Sequence, residues 1–305
     1  MKRILLKLLN LREESGAALV IVAISMVALL GFTALVIDGG RLYAEKSKLQ
    51  KAMDSTVLAG AQGLRTSEAQ AISIAKDISK NNGFEVSESD LTITSESIKA
   101  TKQVNVPMTF AKAIGMNNAT VSATAKAIIA PLKKAGGIAP LAIEQDEVPN
   151  AIILNCGKSN PGTHHGNCGY LDFGNGGDGL ANAFINGATY DVGSKIVETE
   201  PGGKQGKVDE AINTLINNDA AKSQCQSAST ADNSCDRVIT IVVIDSWDGA
   251  NGKSNLNVVG LAAYWIEKYE DKKLYGKFIK MVSPGEIGSS TSIGDYNLYG
   301  VKLVE

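Results

Sequence analysis

Between Ala17 and Ile37 the chain carries no charge, and this run, AALVIVAISMVALLGFTALVI, constrains everything that follows it. Ser25 and Thr33 are its only polar side chains. At about 1.5 Å per residue a helix of roughly 21 residues spans about 31 Å, which matches a hydrocarbon core of about 30 Å. A secretory signal has a shorter apolar centre, about 7–15 residues, and a small-x-small cleavage site behind it. Leu35-Val36-Ile37-Asp38 offers no such site. The run therefore reads as an uncleaved transmembrane helix over 17–37, with a cleaved signal and a buried core helix as the competing readings. Lys2, Arg3, Lys7 and Arg12 precede it, while Arg41, Lys46, Lys48 and Lys51 follow, so the count of basic residues is nearly even. What sets the orientation is the short basic leader, 1–16, ahead of a long domain that crosses largely regardless of its charge. The expectation is a cytoplasmic leader and an extracytoplasmic remainder.

The 305 residues suffice for such an anchor plus one or two modest globular units. A formal net charge of −2 and a pI of about 5.9 announce no nucleic-acid surface, and 5% aromatics argue against a stacking platform for bases or sugars. Glycine is abundant at 31 and proline scarce at 7, which fits a folded, turn-rich domain. Cys156, Cys168, Cys225 and Cys235 fall in two local pairs and are candidate disulfides beyond a membrane. Three pairings are possible for four cysteines.

Past the apolar run, Leu42, Leu49, Met53, Thr56, Gly60 and Leu64 recur along one stripe, so the helix continues unless Gly39-Gly40 breaks it. Ala52, Ala59, Gly60, Ala61 and Gly63 thin its far end and admit a close neighbour. Thr66 to Asn82 reads as a second helix, capped by Ser67, with Ala69, Ile72, Ala75 and Ile78 as its buried stripe. Leu91–Thr94, Lys102–Thr109 and Ala119–Ala130 read as strands, with a helical turn over Phe110–Gly115. Pro131 to Gly137 reads as a linker. Beyond it, strands are expected at Ile138–Ile143, Ala151–Asn155, Val238–Ile244, Leu256–Ile266 and Lys277–Val282, and helices at Leu180–Asn186 and Lys204–Asn218. The continuous β-branched run Val238–Ile244 should lie centrally in its sheet. The fold class is α+β: one helix from the membrane, then small antiparallel sheets, with units over 38–131 and 138–305.

Chemistry is harder to find. Cys156, His164, His165, Cys168 and Asp172 gather soft and borderline metal ligands, but without Cys-x₂-Cys or His-Glu-x-x-His spacing. Asp172 to Gly179 supplies carboxylates and glycines yet lacks the spacing of a calcium loop. Asp245 ends a strand where α/β proteins often hold ligands. No nucleophile elbow and no phosphate loop occurs. No catalytic residue, cofactor or metal is assigned, and the chain reads as a non-enzyme.

Arg12-Glu13-Glu14-Ser15-Gly16-Ala17, the apolar run, Ile37-Asp38-Gly39-Gly40-Arg41-Leu42-Tyr43 and Leu49-Gln50-Lys51-Ala52-Met53-Asp54 running into Ala59-Gly60-Ala61 together resemble the N-terminal region of TadE/TadG-like proteins of the Tad (Flp) pilus-assembly system. The resemblance implies a pilin-like helix and a non-enzymatic, membrane-anchored component of a pilus or secretion apparatus in the cytoplasmic (inner) membrane. Its partners would be other pilus-assembly or pilin-like membrane subunits, with no nucleic acid. Related pilins are cut after a glycine with a glutamate five residues on, whereas Ile21 holds that place after Gly16, so 1–16 is expected to be retained. Asp38, Gly39 and Arg41 form a membrane-edge motif. Asp38 and Arg41, three residues apart, can reach water or pair along one helix face. The rival functional reading is a membrane-tethered extracytoplasmic module that binds a ligand or calcium through Asp172–Gly179 and Asp245. A surface hydrolase using the same acids is a third.

Overall fold

The computed structural model describes residues 14–154, 167–173, 176–194, 196–201, 206–271, 273–288 and 293–304. Helix α1 (Glu14–Gly63) is a single rod of 50 residues, about 75 Å at the helical rise. Gly39 and Gly40 lie inside it and do not break it. Between Ala18 and Ile37 its side chains are exposed except for half-buried Ala34, and this stretch is long and apolar enough to cross a membrane. From Leu49 onward, Leu49, Ala52, Met53, Val57 and Ala61 are buried at helical spacing.

Helix α2 (Glu68–Asn81) packs on the far end of α1. The Ser67 hydroxyl accepts from the Gln70 N–H at 3.0 Å and so caps it as expected. Its buried face is Ala71, Ala75 and Ser79; Ala69 is exposed and Ile72 and Ile78 are half-buried, so the stripe is rotated from the one expected. Close approach explains the rotation. A Cβ on Gly63 would lie 2.8 Å from the Ala71 backbone, so only small residues fit between the two helices.

The first sheet lies on the same half of α1. Strands β1 (Leu91–Thr94), β2 (Ser97–Pro107) and β3 (Asn118–Glu144) run antiparallel, with β2 and β3 in register from Ser97↔Ile128 to Pro107↔Asn118. Ala123, Ala125 and Ala127 alternate inward, and their small side chains join Leu49, Met53 and Val57 in one core. This cluster holds the first unit together.

Strand β3 is 27 residues long and passes straight through Pro131–Gly137, the stretch expected to be a linker. Its lysines and glycines looked like spacer composition, but they have ladder partners far away in sequence. Lys134 and Ala135 pair with Asp191 and Tyr190 of β6 (Ala188–Asp191), and Leu132 pairs with Ile287 of β12 (Glu286–Ile287). The glycines serve a register shift between Ala135 and Ile138, where Gly137 adopts φ +72. The last strand, β13 (Leu298–Leu303), returns to pair with Ala127–Pro131, so the end of the chain edges the first sheet.

Beyond the bulge, β3 pairs in parallel with β8 (Val238–Ile244), which also pairs antiparallel with β9 (Asn255–Glu270). The β-branched run is therefore central, as its composition requires. Strand β10 (Lys273–Ile279) pairs with β9 and with β4 (Ile153–Leu154). Helices α3 (Gly176–Asn186) and α4 (Lys207–Asn218) cover one face through Leu180, Phe184, Val208, Ile212 and Leu215. Trp247, Trp265, Leu256 and Val258 belong to the core on the other. The remaining short strands are β5 (Asn167–Leu171), β7 (Ile196–Pro201) and β11 (Met281–Val282).

Candidate functional site

The apolar half of α1 ends at Ile37, and the next residue, Asp38, is only 6% exposed. Its burial has a specific cause. The β2–β3 hairpin carries its tip, residues 108–117, back to this level of the helix, where Ala111–Ile114 form a single 3-10 turn. A turn leaves its leading N–H groups without partners of their own. Asp38 supplies the acceptor: Oδ1 takes the Thr109 N–H at 2.8 Å, and Oδ2 takes the N–H groups of Phe110 and Ala111 at 3.0 and 2.7 Å. Arg41, one helical turn on, donates to the Thr109 hydroxyl at 3.4 Å.

A carboxylate holding three main-chain donors favours its charged form. The Ala111 N–H lowers the Asp38 pKa most. Burial pushes it up, while the N–H groups of Thr109 and Phe110 and the charge of Arg41 push it down again, and the net direction is down. Gly39 and Gly40, by contrast, meet nothing: a Cβ on either would have no neighbour within 4 Å. Asp38 is buried against the 109–111 segment, while Arg41 is exposed to water, acts on Asp38 by its charge and also reaches the Thr109 hydroxyl. The helical turn at Phe110–Gly115 was the sequence signal that open donors would need an acceptor.

The cysteine positions divide. Cys225 and Cys235 form a disulfide, closing a loop of about ten residues worth about 3 kcal/mol in the chain-entropy account. Around it, buried Asp219 receives the Lys222 ammonium at 2.7 Å and the Arg237 N–H at 2.8 Å. Burial raises the Asp219 pKa, but Lys222 and the N–H groups of Arg237 and Asp236 lower it further. Asp219, Cys225 and Cys235 also place three potential ligand atoms close together. Both sulfurs are spent in the disulfide, so no thiolate remains for a metal. Cys156, His164 and His165 lie outside the described residues, and Cys168 is described only for its backbone place in β5.

Two acids of the calcium reading, Asp172 and Asp245, are engaged within the protein, and the Asp178 side chain lies outside the described residues. Lys253 Nζ sits 2.9 Å from Asp172 and 3.1 Å from Glu198, so an ammonium occupies the position a cation would take. Gly174 and Asn175 lie outside the described residues, and Gly176 to Gly179 open α3. At the end of β8, Asp245 accepts from the Ser246 N–H at 2.7 Å and from the Asn257 amide at 2.9 Å. Glu144 at the end of β3 accepts from the Trp247 N–H and the Ser246 hydroxyl. These carboxylates stitch the strand ends to the following turn.

Comparison with curated proteins and with solved structures finds no match for the chain. Residues 16–63, which are α1 from the start of its apolar half through Asp38 and Arg41 to its packed end, match the family described as "Putative Flp pilus-assembly TadE/G-like", and the match supports a role related to Flp pilus assembly.

Proposed function

We propose that this chain is a single-pass, membrane-anchored structural or assembly component of a Tad (Flp) type pilus apparatus, without enzymatic activity, whose domain beyond Asp38 lies outside the cytoplasm. The observation that carries the reading is α1 itself. One unbroken helix has an apolar half that is exposed except for half-buried Ala34, and its other half is the spine of a folded unit. Water does not tolerate the first half, and a hydrocarbon layer does. The family match covers both halves. A Cys225–Cys235 disulfide suits an oxidising compartment and not the cytosol. Partners would be pilin-like membrane subunits meeting the apolar half, where a Cβ on Gly31 would meet no neighbour and its absence permits close helix packing.

Two measurements test this. The full chain should stay with membranes through alkaline extraction, and protease added to spheroplasts should digest the domain without lysis. A product released by alkali, or a domain protected until the membrane is broken, would overturn it. A photo-cross-linker at Leu30 should trap another small membrane subunit of the apparatus, and trapping only lipid would remove the partner assignment.

A further inference from the structure

Three of the seven large hydrophobic side chains exposed beyond Ile37 among the described residues lie on one short loop: Phe110, Ile114 and Met116. Phe110 is 45% exposed, Ile114 78% and Met116 54%. Soluble surfaces seldom gather such residues without a use. Their level is fixed by two contacts at opposite ends of β2. Asp38 holds Thr109, and Ile98 lies against Gly60. From Asp38 to Gly60 the helix advances about 33 Å, and from Ile98 to Thr109 a strand covers about 36 Å. The hairpin therefore lies along the helix, antiparallel to it in β2, with its tip pinned one residue past the apolar run.

The tip has interfacial chemistry. Thr109-Phe110-Ala111-Lys112-Ala113-Ile114-Gly115-Met116 sets three large apolar side chains around a single exposed cation. Met108, by contrast, is buried in the core and anchors the base of the tip. Aromatic and aliphatic side chains with nearby lysines are what the headgroup boundary accepts. Among the described residues Ile114 is left largely uncovered and Phe110 about half covered, at the level where the apolar run of α1 ends.

We infer that residues 109–116 form a membrane foot, a loop whose Phe110, Ile114 and Met116 enter the outer headgroup and acyl boundary while Asp38 locks it to the anchor helix. The occupant of this surface is lipid. The foot rests on the transmembrane reading of α1, and it gives the membrane a second point of contact beside the helix. A rod crossing alone can tilt and spin, whereas a rod with a foot holds its domain in one attitude to the bilayer.

The test uses the full chain in vesicles of phosphatidylcholine carrying bromine on the acyl chains, either near the ester or near the chain end. Phe110→Trp and Ile114→Trp report on the foot, and Phe32→Trp reports on the anchor. Trp247 and Trp265 are buried in the distal core and supply a constant background. The expected result is loss of emission from the indoles introduced at 110 and 114, stronger with bromine near the ester, and loss from the indole introduced at 32 with either lipid. If the position-32 indole is quenched and neither foot indole is, the foot is wrong and the anchor stands. Quenching at none of the three overturns the anchor and the foot together. Foot indoles shielded from aqueous acrylamide but untouched by bromolipid would place a protein on the loop and overturn the lipid assignment. Using two foot positions keeps the test decisive if one variant folds poorly.

Discussion

The two halves of α1 have the same backbone and opposite surroundings. From Ala18 to Ile37 every side chain of the helix except half-buried Ala34 is exposed, and from Leu49 to Gly63 it is wrapped by α2, β2 and β3. Both halves are rich in apolar residues, but 17–37 carries no charge whereas the second half carries Lys51 and Asp54. The spacing differs accordingly. The first half is apolar all round, which suits lipid, and the second is apolar on one stripe with charges elsewhere, which suits a protein core. Asp38 directly follows the apolar run and bonds the folded unit.

Substitutions should follow this division. Met53→Ala removes a fully buried side chain and should lower the stability of the detergent-solubilised chain by about 2–5 kcal/mol in denaturant unfolding. Val27→Ala in the exposed half should leave the same unfolding curve in place, and equal losses from both would break the contrast. Gly63→Ala comes next. Its methyl would press on the Ala71 backbone, and overpacking of this kind costs about 1–3 kcal/mol.

Asp38→Asn removes the charge that gathers three amides. Hydrogen exchange of Thr109, Phe110 and Ala111 should speed up relative to the unaltered chain, while the amides of β2 keep their protection. The pH dependence has a definite sign. The folded Asp38 pKa is lowered, so its contribution to stability is fully present above the ordinary carboxylate range and is lost as pH falls through the folded value. Asp38→Asn should flatten that acid limb in a pH series of 109–111 exchange, and an unchanged limb would mean that another group sets it. Smallest is Gly39→Ala, which meets no neighbour in the chain and should stabilise the helix by up to about 1 kcal/mol. If it also blocks pilus assembly in cells, the open side of Gly39 is a contact for another subunit.

Much of this was legible in the sequence, for identifiable reasons. The apolar run, the continuation of α1 along Leu49, Met53 and Thr56, the Ser67 cap and the central place of Val238–Ile244 all follow from local spacing. What was missed depended on distant partners. The α2 stripe turned because Gly63 lets Ala71 come close, and no periodicity within α2 carries that information. Pro131–Gly137 resembled a linker because its ladder partners, Tyr190, Asp191 and Ile287, lie more than a local window away. The role of Asp38 was hidden most deeply: the helical turn at Phe110–Gly115 announces open donors, but nothing local says which distant acceptor takes them.

Because β3 belongs to both sheets, the distal half has no hinge at 131–137 on which to swing. A tug applied there travels lengthwise down one strand into the ladders beside α1, and those bonds are loaded in shear, many at once, instead of being peeled singly. Under strain, such a shared strand acts as a tie bar from the distal unit to α1.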